Sequence, residues 1–120
     1  MCCKIKDIDG LNPKDVMNVV FLGLGGNLGD RLLNLETVTG LISRDCGEIL
    51  NRSLVYETDA WGSKSNNKYL NMVLKLQTKH SAQNLIKILN SIEESVGRKR
   101  SADRNSDRIT DIDILFFNHE

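Results

Sequence analysis

Apolar positions along the chain alternate between the spacing of strands and the spacing of helices. Asn18 to Leu24, NVVFLGL, is an apolar β-prone run that reads as a buried first strand. Gly25, Gly26, Asn27 and Gly29 follow as a turn rich in residues that tolerate positive φ. Asp30 is placed to cap a helix whose apolar positions, Leu32, Leu35, Val38, Leu41 and Ile42, recur at helical spacing; it should stop near Cys46-Gly47. Glu48 to Thr58 has the β-branched and aromatic content of a second strand, and Asp59 to Lys68 reads as a polar loop carrying Trp61. Tyr69 to Thr78 alternates, with Leu70, Met72, Leu74 and Leu76 facing one way and Tyr69, Asn71, Val73, Lys75 and Gln77 the other. Ser81 caps a second helix with Ala82, Leu85, Ile86, Leu89, Ile92 and Val96 on one face, ended by Gly97. Ile112, Ile114, Leu115, Phe116 and Phe117 read as a buried last strand.

The order β-α-β-β-α-β predicts an α+β, ferredoxin-like fold: a four-stranded antiparallel sheet with two helices on one face. In that topology the first strand lies between the third and the fourth. Leu70, Met72, Leu74, Leu76, Ile112 and Ile114 should therefore lie beneath the helices. Tyr69, Asn71, Asp111 and Asp113 should share the opposite face. Val73, Leu115 and Phe117 should be left near solvent there, which favours self-association through that face. Residues 1–16 are polar, carry the single proline and show no sustained period, so they read as an extension before one domain over residues 17–120.

Composition narrows the picture by exclusion. The 120 residues suffice for one domain with a real core, and 16 basic and 16 acidic residues cancel. No global charge points to nucleic acid or an anionic membrane, so any basic site must be local. Cys2, Cys3 and Cys46 form neither a metal-ligand spacing nor a disulfide framework, which predicts a reduced, cytoplasmic protein. No run approaches membrane-spanning length, and Met1 to Gly10 lacks the apolar segment of a secretory signal.

Candidate chemistry concentrates in Arg98 to Phe117, where four arginines and a lysine lead into Asp111 and Asp113. On a strand, these two carboxylates share a face with Cα atoms roughly 6–7 Å apart. Such a pair is costly to keep ionised without a cation, and Mg²⁺ takes oxygen ligands while keeping water and substrate phosphates. The alternative is an exposed sheet face beside a solvated basic turn. GLGGNLGD is not a dinucleotide fingerprint, because Leu28 stands where the third glycine belongs and the following element pairs in a hairpin. His80 and His119 are isolated, Cys46 reads as packed, and Trp61 is either a plug over the core or a stacking residue.

The segments VFLGLGGNLGDR, Tyr56-Glu57-Thr58, Trp61-Gly62 and Tyr69-Leu70-Asn71, with Gly97-Arg98 through Asp107-Arg108 to Thr110-Asp111-Ile112-Asp113-Ile114-Leu115, resemble the 6-hydroxymethyl-7,8-dihydropterin pyrophosphokinase family of folate synthesis. The resemblance runs in order from Asn18 to about Glu120. It implies transfer of the β,γ-pyrophosphoryl group of ATP to the pterin hydroxymethyl oxygen, with release of AMP. It further implies that Asp111 and Asp113 hold two Mg²⁺ ions, that Arg98 and Arg108 contact the triphosphate, and that Arg100 sits in a catalytic loop. Asn71 matches the amide that reads the pterin edge, Tyr69 flanks the ring, Thr58 and Trp61 fall in the pterin-pocket segment, and Glu93 matches an acidic residue at the nucleotide. Asn105-Ser106-Asp107 departs from the Trp-Gly-Pro that many members carry before the last arginine. The family also continues past the match to Glu120, with a histidine segment, an arginine and a second aromatic. A catalytically deficient core with residual nucleotide or pterin binding is therefore the alternative expectation.

Overall fold

The computed structural model describes residues 17–59, 68–97 and 110–118. In chain order these form strand β1 (Asn18–Gly26), helix α1 (Arg31–Asp45), strands β2 (Glu48–Arg52), β3 (Tyr56–Thr58) and β4 (Tyr69–Thr78), helix α2 (Ala82–Ser95) and strand β5 (Asp111–Phe117). The sheet runs β2-β4-β1-β5, β3 also pairs with β4, and every pairing is antiparallel. Each helix thus joins two strands that run in the same direction with one strand between them. This is the ferredoxin-like α+β fold.

Both helices begin at the residues that pattern and side-chain chemistry select. The Asp30 carboxylate accepts the Leu33 N–H at 3.1 Å, and the Ser81 hydroxyl accepts the Asn84 N–H at 3.2 Å, each satisfying an amide that the first helical turn leaves without a partner. Alternation then decides the layers. Val20, Leu22 and Leu24 of β1, Met72, Leu74 and Leu76 of β4, and Ile112 of β5 are buried against Leu35, Val38 and Ile42 of α1 and Leu85, Leu89 and Ile92 of α2. Among the described residues, no helix is long and apolar enough to cross a membrane.

Several local expectations are corrected. The second strand is two strands along one edge of β4, interrupted at Ser53. There Val73 N–H donates to the Ser53 hydroxyl, while Ser53 N–H donates to the Val73 carbonyl, so a side chain replaces one backbone rung. Gly25 and Gly26 extend β1 instead of opening the turn, pairing with Asn71 and Leu70. Leu32 and Ile86 are exposed: Leu32 lies in the first turn of α1, and Ile86 is rotated about 100° from the buried Leu85. Phe117 packs toward the core, because β5 carries a bulge: Ile114 opposes Leu22 and Phe116 opposes Phe21, leaving Leu115 as the extra residue. The bulge reverses the alternation beyond it, so Phe116 takes the outer face, its ring edge-on to Phe21 with centroids 6.3 Å apart.

Cys46, just after α1, is buried, and its carbonyl accepts the Thr78 hydroxyl at 2.6 Å. Burial, with a smaller contribution from the Asp45 charge, pushes its thiol from 9.0 up to about 11. A native-state pKa above the unfolded one means that the folded protein holds this proton more tightly. Its stabilising contribution is therefore complete below pH 9 and is lost as pH rises toward 11. Iodoacetamide at pH 8 should leave Cys46 unmodified in the folded chain and alkylate it after denaturation; native modification at a free-thiol rate would contradict the burial.

Candidate active site

The face of the sheet away from the helices holds a groove of about 310 Å³, lined by Gly23, Gly25, Tyr56, Tyr69, Asn71, Val73, Asp111, Asp113 and Leu115 with the flanking Leu24 and Met72. Its floor is the central strand β1. Gly25 pairs with Asn71 on one side and Asp111 on the other, and Gly23 pairs with Val73 and Asp113. Two successive strand spacings place the flanking Cα atoms about 10 Å apart. Neither glycine adds a side chain of its own to that span: a Cβ on Gly25 would come within 2.8 Å of Asn71 Oδ1, and one on Gly23 would meet the Leu115 side chain at 3.3 Å.

One wall of the groove recognises shape and hydrogen-bond direction. Tyr56 lies opposite Asn71 and Thr58 opposite Tyr69, so all four residues face outward together. Asn71 Nδ2 donates to Thr58 Oγ1 at 2.7 Å, which fixes the amide and turns its Oδ1 toward the glycine floor. Two tyrosine rings flank this oriented amide, an arrangement suited to a flat, polar heterocycle.

The other wall is anionic. Asp111 and Asp113 flank Ile112 on β5, whose side chain points into the core while theirs point into the groove. Among the described residues, no cluster of three or more His, Cys, Asp or Glu side chains forms a closed metal cage. The two carboxylates are an oxygen-only donor pair that leaves positions for water and phosphate, which fits Mg²⁺ and not a thiolate- or imidazole-seeking metal. β5 is an edge strand, and its Ile112 N–H donates at 2.6 Å to the carboxylate of Glu93, itself only 3% exposed on α2.

The structure therefore brings Thr58, Tyr69, Asn71, Asp111 and Asp113 to one face. Glu93 lies on the helix side and touches the strand that carries the aspartates, not the groove. Trp61, Arg98, Arg100 and Arg108 lie outside the described residues, as does His119. Sequence reasoning missed Tyr56, Gly23 and Gly25 as parts of the groove. Alternation with Thr58 was the available signal for Tyr56, whereas the glycines needed the register.

Fold and groove define a ferredoxin-like domain whose uncovered sheet face sets an oriented amide against paired carboxylates. The chain belongs to the 7,8-dihydro-6-hydroxymethylpterin-pyrophosphokinase family, whose model matches residues 21–120. It is 37% identical over 101 residues to the 2-amino-4-hydroxy-6-hydroxymethyldihydropteridine pyrophosphokinase of Porphyromonas gingivalis, covering 82% of this chain and 69% of that one. It is 39% identical over 105 residues to the Aquifex aeolicus protein of the same name, covering 87% of this chain and 64% of the relative. The Bacillus subtilis protein is 33% identical over 104 residues, with 86% of this chain and 62% of that protein covered. The chain thus spans about two-thirds of the length of these relatives. The fold is similar to that of Plasmodium falciparum HPPK-DHPS, solved with pteroate, at a TM-score of 0.70 and 21% identity over 90% of this chain and 30% of that one.

Proposed function

We propose that this chain is a cytoplasmic enzyme of folate biosynthesis that transfers pyrophosphate from ATP to the hydroxymethyl oxygen of 6-hydroxymethyl-7,8-dihydropterin, releasing AMP. The observation that carries this reading is the pairing across Gly25, with an amide locked to a hydroxyl on one side and a carboxylate pair on the other. Asn71 reads the hydrogen-bonding edge of the pterin, Thr58 holds that amide, and Tyr69 and Trp61 flank the ring. The roughly 10 Å between the walls supports a reading in which the hydroxymethyl arm meets the phosphates beside Asp111 and Asp113. These carboxylates would hold two Mg²⁺ ions, which would supply positive charge against the charge developing on the phosphates in transfer.

Arg98, Arg100 and Arg108 supply planar donor forks for the triphosphate, which a lysine could meet only as a point charge. Glu93, assigned to the nucleotide by resemblance, also holds the Ile112 amide and so keeps both aspartates in register. Residues 17–120 act as the single domain, with residues 1–16 as an extension.

Calorimetry with Mg²⁺ and a non-hydrolysable ATP analogue, followed by the pterin, tests binding; AMP release measured with and without the pterin tests turnover. AMP formed in step with pterin pyrophosphorylation is the expected result. Failure to bind either ligand, or AMP release indifferent to the pterin, would overturn the proposal. The same face exposes Leu115 and Phe116, and the proposal includes weak self-association through them. Sedimentation velocity should show a rise in average mass with concentration that Phe116→Ser removes.

A further inference from the structure

Arg31, the first residue of α1, contributes nothing to the lining of the groove, yet it grips two chain segments that build its recognition wall. Its Nη1 donates to Glu57 Oε2 and to the Lys68 carbonyl, both at 2.8 Å. Glu57 is the middle residue of β3, between Tyr56 and Thr58, and Lys68 immediately precedes β4. By strand alternation, Tyr56 and Thr58 face the groove while Glu57 points back toward the helix layer.

Strand β3 needs such a hold. It has three residues, all exposed, and only three register pairs with β4, Tyr56 with Asn71, Glu57 with Leu70 and Thr58 with Tyr69. A short, exposed edge strand specifies its own register weakly, and a one-residue slip would turn Thr58 away from Asn71. The Thr58–Asn71 bond, which orients the amide, exists only in the observed register.

We infer that Arg31 is a positioning residue for the heterocycle-recognition wall: it fixes β3 against the start of β4 and thereby sets the direction in which the Asn71 amide points. Arginine suits the task because two N–H groups of one guanidinium nitrogen reach two acceptors in a fixed geometry, which the single flexible ammonium of lysine does not reproduce. The Arg31–Glu57 pair is partly exposed, at 31% and 45%, so it adds little to global stability and its loss leaves the fold standing. A separate ion pair, Arg52 with Glu36, ties α1 to β2 away from this wall and provides a control.

The ligand named in the test rests on the proposed function; the positioning role does not. In the full chain labelled with ¹⁵N, the side-chain amide resonances of Asn71 are compared among wild type, Arg31→Ala, Arg31→Lys, Glu57→Gln and Glu36→Gln, and pterin and ATP-analogue affinities are measured in each. The first three variants should shift the Asn71 amide and weaken pterin binding by about three- to tenfold, while the ATP analogue binds as before. Glu36→Gln should change neither. Unaltered Asn71 resonances in Arg31→Ala, or equal effects of Glu36→Gln, would overturn the inference. If the wild type binds no pterin, the proposed function fails, and the amide resonances still decide the role of Arg31.

Discussion

Asp111→Asn and Asp113→Asn are each expected to lower pterin-dependent AMP formation by at least 10²- to 10³-fold, roughly the scale of removing one group that stabilises transition-state charge. The reason is the donor count. The groove offers two carboxylates from β5, so each change halves the negative charge available to a cation while leaving shape and hydrogen-bonding capacity nearly intact. Both side chains point out of the sheet, away from the core packed beneath Ile112. Melting temperature should therefore move by only a few degrees, as for substitutions outside the core. The informative measurement is a Mg²⁺ titration of the residual rate: the variants should need more Mg²⁺ than wild type. Full activity in either variant would remove the carboxylate pair from the mechanism.

Gly47→Ala should cost about 2–4 kcal/mol, enough to lower the melting temperature by roughly 8–15 °C. Gly47 turns the chain from α1 into β2 at a φ of 154°, pressed against the edge of β4. A Cβ there would sit 2.1 Å from the Gln77 carbonyl oxygen and 3.1 Å from the Thr78 Cα. Backbone atoms cannot swing aside as a side chain would. Relief requires β2 to move off β4 or the Thr78–Cys46 hydrogen bond to lengthen. Thermal unfolding followed by circular dichroism measures the effect, and a melting temperature equal to wild type would show that the turn can relax at no cost.

The sequence carried most of the fold because local signals agreed with one another. Asp30 and Ser81 cap helices through their own side chains, and the alternation of Met72, Leu74 and Leu76 names the core face without reference to any other strand. Errors arose where position depends on a partner. The parity reversal at Phe116 and Phe117 comes from a bulge set by how β5 meets β1. The break in the second strand comes from a serine side chain entering the ladder of β4. The exposure of Ile86 depends on how α2 is rotated over the sheet.

The candidate site divides in the same way. Asp111 and Asp113 were legible because two positions on a strand share a face, and Asn71 because it alternates with core leucines. Gly25 read as turn chemistry and Gly23 as one residue of the first strand, since a glycine's contribution to a groove floor shows only when the side chains on both neighbouring strands are known. Arg31 stood in a family-like segment but gave no signal of its positioning role: its two acceptors lie far along the chain, and one is a backbone carbonyl.

The bare central strand has a consequence for evolution of the groove. Because Gly23 and Gly25 place no side chain between the two walls, the gauge of the groove is the spacing of hydrogen-bonded strands, a length set by peptide geometry and not by residue choice. Walls can vary in sequence without changing that gauge. A ligand whose two reactive ends are matched to twice the strand spacing is thus measured by the backbone itself, and repacking of the core beneath leaves the ruler unchanged.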